Sequence, residues 1–260
     1  MHVAIASDLH FEFYRSTPNW LPPLPKQCDI LILAGDIDTG NSVLEAIDRI
    51  LQALPNTKII WVAGNHEFYK QSIDTQIKHY RDSCQYSQLL YYLENDSVTM
   101  DGYRFLGCTL WSGFNSQGVE KRNLAMQEAQ RLIPDFSLIR NHHGDSCFLP
   151  ADALAKFEES YDWLNSELPK YDASKTVVVT HFPPIREARH NGISEDILSA
   201  YFQADCKALI LKHQPALWVY GHNHYSANVT IGNTIITSNQ LGYPGEEGIP
   251  LFKREKLFSI

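Results

Sequence analysis

The sequence has few cysteines, no excess of positive charge and no long hydrophobic run. Its five cysteines are scattered and form no CxxC pair, which argues against a disulfide framework and for a reducing compartment. The net charge of −8 disfavours tight, unaided binding to DNA or RNA. No apolar run approaches the roughly 20 residues of a membrane span. The N-terminal apolar run has no basic region before it and is interrupted at Asp8, so we expect no signal peptide and a cytoplasmic protein.

Short apolar runs alternate with segments of helical periodicity along the 260 residues, as in an ordinary globular α/β protein. This rhythm predicts parallel strands joined by crossover helices, within one domain over residues 1–260. Two hairpins are expected, one around Asp101-Gly102 and one around Gly232-Asn233. Strands are predicted over 2–7, 29–34, 58–63, 97–100, 103–110, 176–180 and 216–220, and helices over about 42–54, 71–84, 118–132, 150–167 and 195–212.

The stretch 134–149 lacks a clear period, and we interpret it as a long surface loop. Residues of about 111–149 are therefore a possible lid or loop insertion. Several side chains in predicted loops could line the rim of a pocket, although for each of them ordinary packing or surface placement is favoured. These residues are Trp111, Phe114, Asn115, Arg140, His142, His143, Arg186, His190 and Tyr225. Among them, Arg140 with His142 and His143 is the best candidate for binding phosphate, because a guanidinium can hold it through two hydrogen bonds.

Polar side chains follow five predicted strands at the point where each strand ends. They are Asp8 and His10; Asp36; Asn65 and His66; His181; and His222 and His224. In open α/β sheets this edge is where ligands bind. Within the pairs 8/10 and 222/224, an extended backbone of period two would aim both side chains to one side. Glycines at 35, 64 and 221 precede three of the groups and would allow a sharp turn beside an ion.

Carboxylates, imidazoles and one amide, without a thiolate, favour Mn, Fe or Zn over a soft-metal or iron–sulfur site. Seven such ligands exceed what one tetrahedral zinc uses. Two ions roughly 3.5–4 Å apart that share one carboxylate would use all of them. Structural histidines could explain any single group but are disfavoured as an explanation of all five. The predicted ligands are Asp8, His10, Asp36, Asn65, His181, His222 and His224.

The ordered motifs Asp8-x-His10, Gly35-Asp36, Gly64-Asn65-His66-Glu67, His181 and Gly221-His222-x-His224 resemble the calcineurin-like metallophosphoesterase superfamily. The resemblance implies a four-layer α/β/β/α sandwich. It implies that Asp8, His10, Asp36 and His224 hold one metal, while Asp36, Asn65, His181 and His222 hold the second. Asp36 would bridge the two, and His66 would be a catalytic histidine that binds neither. Family members often carry an acid three residues after the bridging aspartate, whereas here Asp38 follows two residues after it.

The implied function is hydrolysis of a small phosphomono- or phosphodiester by in-line attack of a metal-bridging hydroxide. His66 would serve as the acid or charge stabiliser, with its ring oriented by Glu67 or Asp36. Phe11, Phe13 and Tyr14 could stack on a base or pack the loop, and packing is favoured. The alternatives left open are a protein phosphatase, a nucleotide or cyclic-nucleotide phosphodiesterase or a nuclease of the same fold, and a non-catalytic scaffold.

Overall fold

The computed structural model describes residues 1–17, 19–141, 144–246, 252–254 and 256–259. In this part of the chain, eleven strands form two sheets. The strands are His2–Ala6 (β1), Ile30–Ala34 (β2), Lys58–Val62 (β3), Leu90–Tyr92 (β4), Asp96–Met100 (β5), Tyr103–Cys108 (β6), Thr176–Thr180 (β7), Leu217–Tyr220 (β8), Asn228–Ile231 (β9), Thr234–Ser238 (β10) and Leu257–Ser259 (β11).

The first sheet has the order β11-β1-β2-β3-β4, and all its pairings are parallel except that of β11 with β1. The second has the order β5-β6-β7-β8-β10-β9, with parallel pairs from β6 to β10. Antiparallel hairpins close its two edges, as predicted. The turn between β5 and β6 places Asp101 at φ 49° and Gly102 at φ 83°, the positive angles that an Asp-Gly turn supplies.

The strands carry apolar side chains on both faces, which explains how four layers arise. Side chains of β1 alternate: Val3 and Ile5 join a cluster between the two sheets, whereas Ala4 and Ala6 join the larger cluster beneath the helices. Because strand side chains alternate with a period of two, each sheet buries one face on the other sheet and one on helices. The predicted α/β/β/α sandwich is confirmed.

The α-helices are Ser42–Ala53 (α1), Ile73–Cys84 (α2), Arg122–Leu132 (α3), Asp135–Leu138 (α4), Pro150–Glu167 (α5) and Lys207–His213 (α6). The bounds predicted for α5 are confirmed, and those for α1, α2 and α3 are right to within a few residues. The single helix predicted over 195–212 is wrong. In its place, a 3-10 turn over Ile197–Ala200 is followed by non-helical residues and then by α6. The N–H groups of Ala204 and Cys206 donate to the carbonyls of Pro183 and Pro184 and not to carbonyls within the segment.

The segment predicted as a surface loop over 134–149 is exposed at Arg140 and over 144–146, as expected, but the rest of its described part is partly packed. It begins with α4 and buries Phe136, Ile139 and Phe148 in the core. His142 and His143 lie outside the described residues. Trp111 and Phe114 are also buried, so the structure does not place them on a pocket rim. Within the described residues, none of the helices combines the length and the apolar character needed to cross a membrane.

Candidate metal centre

The predicted site residues converge at the carboxyl ends of strands from both sheets. Asp8 and His10 follow β1, Asp36 follows β2, Asn65 and His66 follow β3, His181 follows β7, and His222 and His224 follow β8. All eight side chains are buried. Polar groups at this depth need partners or a ligand, because an unpaired buried charge is costly. The structure therefore brings all of the sequence-predicted site residues together.

The loops that present these residues use left-handed backbone conformations rather than the extended one that we expected. Asp8, His10 and Asp36 have φ near 50°, and His222 and His224 have φ of 80° and 54°. Such angles are strained for residues with a Cβ and are retained where the surroundings enforce them. His222 and His224 line the same cavity, but their rings join different groups.

Among the described residues, three groups of three side chains could each hold a metal ion, with the potential ligand atoms of each group within 4.8 Å of one another. One of them, made of His10, Glu12 and His66, contains only one predicted ligand. The other two groups consist entirely of predicted ligands, namely Asp8, His10 and His224, and Asp36, His181 and His222. Asp36 lies between the groups, because its Oδ2 is 3.5 Å from His181 Nε2 and 4.0 Å from His10 Nε2. One carboxylate thus faces both groups.

Hydrogen bonds fix how three of the histidine rings are turned. The Nδ1–H group of His10 donates to Glu12 Oε1 at 2.9 Å, and that of His224 donates to Glu246 Oε2 at 2.6 Å. The Nδ1–H group of His181 donates to the backbone carbonyl oxygen of Ala34 at 2.8 Å. In each ring the Nε2 atom then faces the centre. His10 Nε2 and His224 Nε2 lie 3.0 Å apart.

Asn65 is oriented by a buried carboxylate that sequence reasoning missed. Its Nδ2 donates to Asp135 Oδ1 at 3.0 Å. The amide oxygen therefore points to the centre, 3.1 Å from His181 Nε2 and 3.1 Å from His222 Nδ1. Asp135 also accepts from the hydroxyls of Tyr69, at 2.8 Å, and Tyr201. No motif marks Asp135, because it lies in the segment interpreted as a loop.

The electrostatics of the site follow from burial and from Asp36. Burial lowers the pKa of His10 and holds that of His222 well below its usual range, so both rings are neutral. Burial alone would also lower the pKa of His181, but the charge of Asp36 outweighs it and raises the value to about 9. The Asp36 carboxyl has a pKa well below normal, because the neighbouring histidines outweigh its burial.

Two glycines are required by close approach. A Cβ on Gly35, which has φ 85°, would lie 2.3 Å from His181 Nδ1, and one on Gly64 would lie 2.2 Å from Asp36 Oδ1. Both distances are shorter than any real contact, so a side chain at either position would displace a predicted metal ligand.

His66 lies beside the two groups with its ring held by Glu12. Its Nδ1–H donates to Glu12 Oε1 at 2.8 Å, and its Nε2 is 3.9 Å from Asp36 Oδ2 and 3.3 Å from the hydroxyl of Tyr243. Burial would lower the pKa of His66, but Asp36 and Glu12 raise it to about 9. For Glu12, burial is outweighed by hydrogen bonds from His10 and His66, and the pKa falls to about 2.

The expectation that Glu67 orients His66 is wrong. Both carboxylate oxygens of Glu67 accept backbone N–H groups, from Asp36 at 3.0 Å, Ile37 at 2.8 Å and Gly64 at 2.8 Å. Glu67 thus braces two ligand loops. Asp38 is also engaged elsewhere, since it accepts from Arg15 at 2.5 Å and from the N–H of Thr39 at 2.6 Å.

Of the other candidate rim residues, His190 lines a cavity next to the centre, with the ring of Tyr225 4.8 Å away. Arg186 pairs with Glu195. Arg140 is exposed and contacts Cys147, and Asn115 borders a different depression.

Packing is confirmed for Phe11 and Tyr14, which contact Trp20, whereas Phe13 is exposed beside His10 and Tyr243. Sequence reasoning missed the cavity residues Tyr69, Ile133, Arg189, Ile193, Glu195, Tyr201, Phe202, Gln203, Tyr243 and Glu246.

Two packed, parallel-rich sheets with acidic, imidazole and amide groups gathered at their carboxyl edges define a metal-dependent phosphoester hydrolase. Residues 1–226 match the family model of calcineurin-like phosphoesterases, and the chain belongs to that family. Tyr243 and Glu246 lie beyond the matched residues.

The chain is similar to known proteins over nearly its whole length. It is 29% identical to an uncharacterized protein of Acanthamoeba polyphaga mimivirus, over 92% of this chain and 90% of that protein. The solved structure of a phosphopantetheinyl hydrolase from Mycobacterium tuberculosis aligns with a TM-score of 0.72 at 19% identity, covering 93% of this chain and 89% of the other. A putative 5'-nucleotidase from Staphylococcus aureus aligns with a TM-score of 0.51 at 14% identity, covering 92% of this chain and 48% of the other.

Proposed function

We propose that this chain is a binuclear-metal-dependent hydrolase of small phosphomono- or phosphodiesters. In this proposal, Asp8, His10, Asp36 and His224 hold one ion. Asp36, Asn65, His181 and His222 hold the second, and Asp36 is shared. Since the ligand set contains oxygen and imidazole nitrogen but no thiolate, Mn, Fe or Zn fits it best.

The observation that carries the proposal is the pair of nitrogens His10 Nε2 and His224 Nε2, 3.0 Å apart. Because the Nδ1 atom of each ring is held by a glutamate, both Nε2 atoms face the centre. Burial would lower the pKa of His224, but its hydrogen bond to Glu246 and the nearby acids raise it, so a proton on His224 can join the two Nε2 atoms in a hydrogen bond, and a metal cation would take the place of that proton. His222 Nδ1 faces the same centre, 3.1 Å from Asn65 Oδ1. These residues therefore fit a cationic occupant.

When bound, the two ions would lower the pKa of a water and neutralise phosphoryl oxygens. The protein's own contribution centres on His66. Glu12 holds its Nδ1, so the Nε2–H group faces the cavity, and its pKa of about 9 keeps that proton in place at neutral pH. His66 Nε2 is thus placed to donate its proton to the departing oxygen, or to stabilise charge on it.

A small substrate is favoured by the shape and charge of the site. The adjoining cavity has a volume of about 340 Å³, which is in the range of small-molecule pockets. The net charge of −8 disfavours nucleic acid as the substrate. The scaffold alternative would require lost ligands, and all seven predicted ligand side chains are present and gathered in one place.

The proposal includes a cytoplasmic location and a single domain. All five cysteines are free, as expected in a reducing compartment. β11, near the end of the chain, pairs with β1 and so completes the first sheet.

The decisive experiment compares wild type with His66→Asn in assays supplemented with Mn²⁺, Fe²⁺ or Zn²⁺. The substrates are p-nitrophenyl phosphate, bis-p-nitrophenyl phosphate and cyclic nucleotides, which separate monoesterase from diesterase activity. We expect His66→Asn to lower kcat by roughly 10²–10⁴-fold while metal content stays near wild type. His79→Asn, an exposed histidine on α2, is the matched control. Loss of metal in His66→Asn would make His66 a ligand, and no hydrolysis of any ester would favour the scaffold.

A further inference from the structure

The cavity beside the metal centre has walls of a distinct chemistry. Its floor contains Asp36, Asn65, His222 and His224, so anything bound there adjoins the reacting phosphoryl group. Two segments form the walls, one at the end of α3 and one in the long connection between β7 and α6. Their apolar members are Ile133 and Pro134 from the first and Ile193, Tyr201 and Phe202 from the second.

Of the three described tyrosines that line the cavity, Tyr69 and Tyr201 have their hydroxyls engaged in hydrogen bonds, whereas the hydroxyl of Tyr243 lies 3.3 Å from His66 Nε2. The hydroxyls of Tyr69 and Tyr201 both donate to Asp135, which is itself buried. Their rings therefore add to the apolar surface. At the mouth, Ile193 is 63% exposed. An apolar ligand group would cover it.

One guanidinium faces several carboxylates on the walls. Arg189 is the only guanidinium among the described lining residues, and its Nε lies 3.3 Å from Glu195 Oε1 without forming a hydrogen bond. Glu195 also accepts from Arg186 Nε at 2.9 Å. Asp135 accepts hydrogen bonds from Tyr69, Tyr201 and Asn65. Because Asp135, Glu195 and Glu246 all line the cavity, a second phosphate or carboxylate on the substrate would compete with these carboxylates for one cation.

We propose that this cavity binds the organic part of the substrate, and that this part is an uncharged, mainly apolar alkyl or aryl group attached to a single phosphoryl group. This inference rests on the proposed function, since it assumes that the phosphoryl group lies at the metal centre. Ile133 and Ile193 are then residues that determine specificity.

The test uses phosphonates, whose C–P bond survives phosphoester hydrolysis, so that affinity is independent of the leaving group. Methyl-, propyl- and hexylphosphonate are measured as competitive inhibitors of p-nitrophenyl phosphate hydrolysis by the metal-loaded protein. Burial of each methylene is expected to tighten binding about threefold, so hexylphosphonate should bind at least about 30-fold more tightly than methylphosphonate. The length-matched 5-carboxypentylphosphonate should lose most of this gain, because its terminal charge must compete with the lining carboxylates for the one guanidinium, Arg189.

Ile133→Ala and Ile193→Ala should each lower the ratio of methylphosphonate to hexylphosphonate Ki by about three- to tenfold. Leu124→Ala is the matched control, since Leu124 lies on α3, is 51% exposed and does not line the cavity. A Ki that does not change with chain length, or tighter binding of the carboxylated compound, would overturn the inference. In either case hydrolysis of p-nitrophenyl phosphate would still support the proposed function. If the metal-loaded protein hydrolyses no phosphoester, the proposed function fails, and the inference fails with it.

Discussion

Replacing Glu12 with alanine removes one oxygen that two histidines share. Glu12 Oε1 accepts from His10 Nδ1 at 2.9 Å and from His66 Nδ1 at 2.8 Å, and the two rings lie 4.6 Å apart. His10 is a proposed metal ligand and His66 the proposed acid. We therefore expect Glu12→Ala to impair metal binding and turnover together.

The size of each effect follows from the role of the hydrogen bond that is lost. Loss of the carboxylate that orients a metal-binding histidine typically weakens metal affinity about 10–100-fold. Loss of a positioned acid costs about 10²–10⁴-fold in rate, and Glu12→Ala leaves the His66 ring in place but free to turn, so we expect the lower end of that range for kcat. Glu12→Gln keeps an oxygen acceptor of the same length, and it should fall between wild type and Glu12→Ala in both quantities.

The assay is calorimetric titration of metal into the metal-free protein, combined with kcat measured at saturating metal. Glu120→Ala, which removes an exposed acid next to α3, is the control. At saturating metal the binding defect is masked, so the remaining loss of kcat reports on His66 alone. Full recovery of kcat there would show that Glu12 acts only through His10. Wild-type metal affinity would show that it acts only through His66, and either result would refute the shared role.

Two further outcomes are expected from the same geometry. Asp36→Asn should weaken both metal sites together, because Asp36 Oδ2 faces His10 and His181 at 4.0 and 3.5 Å; loss of a single ion by mass spectrometry would contradict a bridging role. Metal binding at pH 7.5 should release a proton from His181, whose pKa of about 9 keeps it charged in the metal-free protein, so affinity should rise with pH up to about 9. Calorimetry in buffers of different ionisation enthalpy counts that proton, and an affinity that does not change with pH would disprove the assignment.

The fold and the predicted ligands could be anticipated because they depend on local patterns. Buried parallel strands appear in the sequence as short apolar runs, and predicted ligand residues follow five of them. These residues therefore mark the carboxyl edge of the sheets. The helix over 150–167 begins with Pro150 and keeps its period to its end. By contrast, β4 and β11 have three residues each, too few for a period to be recognised. Apolar residues over 195–212 have helical spacing, yet hydrogen bonds to Pro183 and Pro184 divide the segment.

The residues that orient the ligands could not be predicted, because their partners are distant in sequence. Glu246 meets His224 from beyond the β9–β10 hairpin, 22 residues later, and Asp135 reaches Asn65 from a helix 70 residues later. Glu12 is only two residues from His10, but the second histidine that it binds, His66, lies 54 residues further along the chain. Nothing local distinguishes these acids from solvated surface charges. Glu67, which is adjacent to His66 in the Gly64–Glu67 motif, is the more obvious candidate for orienting its ring, but it accepts hydrogen bonds from backbone N–H groups instead.

The role of Glu67 explains how strained ligand loops keep their shape. Asp36 has φ 54°, and a left-handed residue with a Cβ costs about 1–3 kcal/mol. Glu67 accepts the N–H groups of Asp36, Ile37 and Gly64, and so joins the loop after β2 to the loop after β3. Each of these buried hydrogen bonds contributes about as much as the strain costs at one residue. Because the bracing contacts are all between protein groups, the loop geometry does not depend on an ion to hold it. In the proposed metal centre, binding of the ions would then carry no cost of ordering these loops.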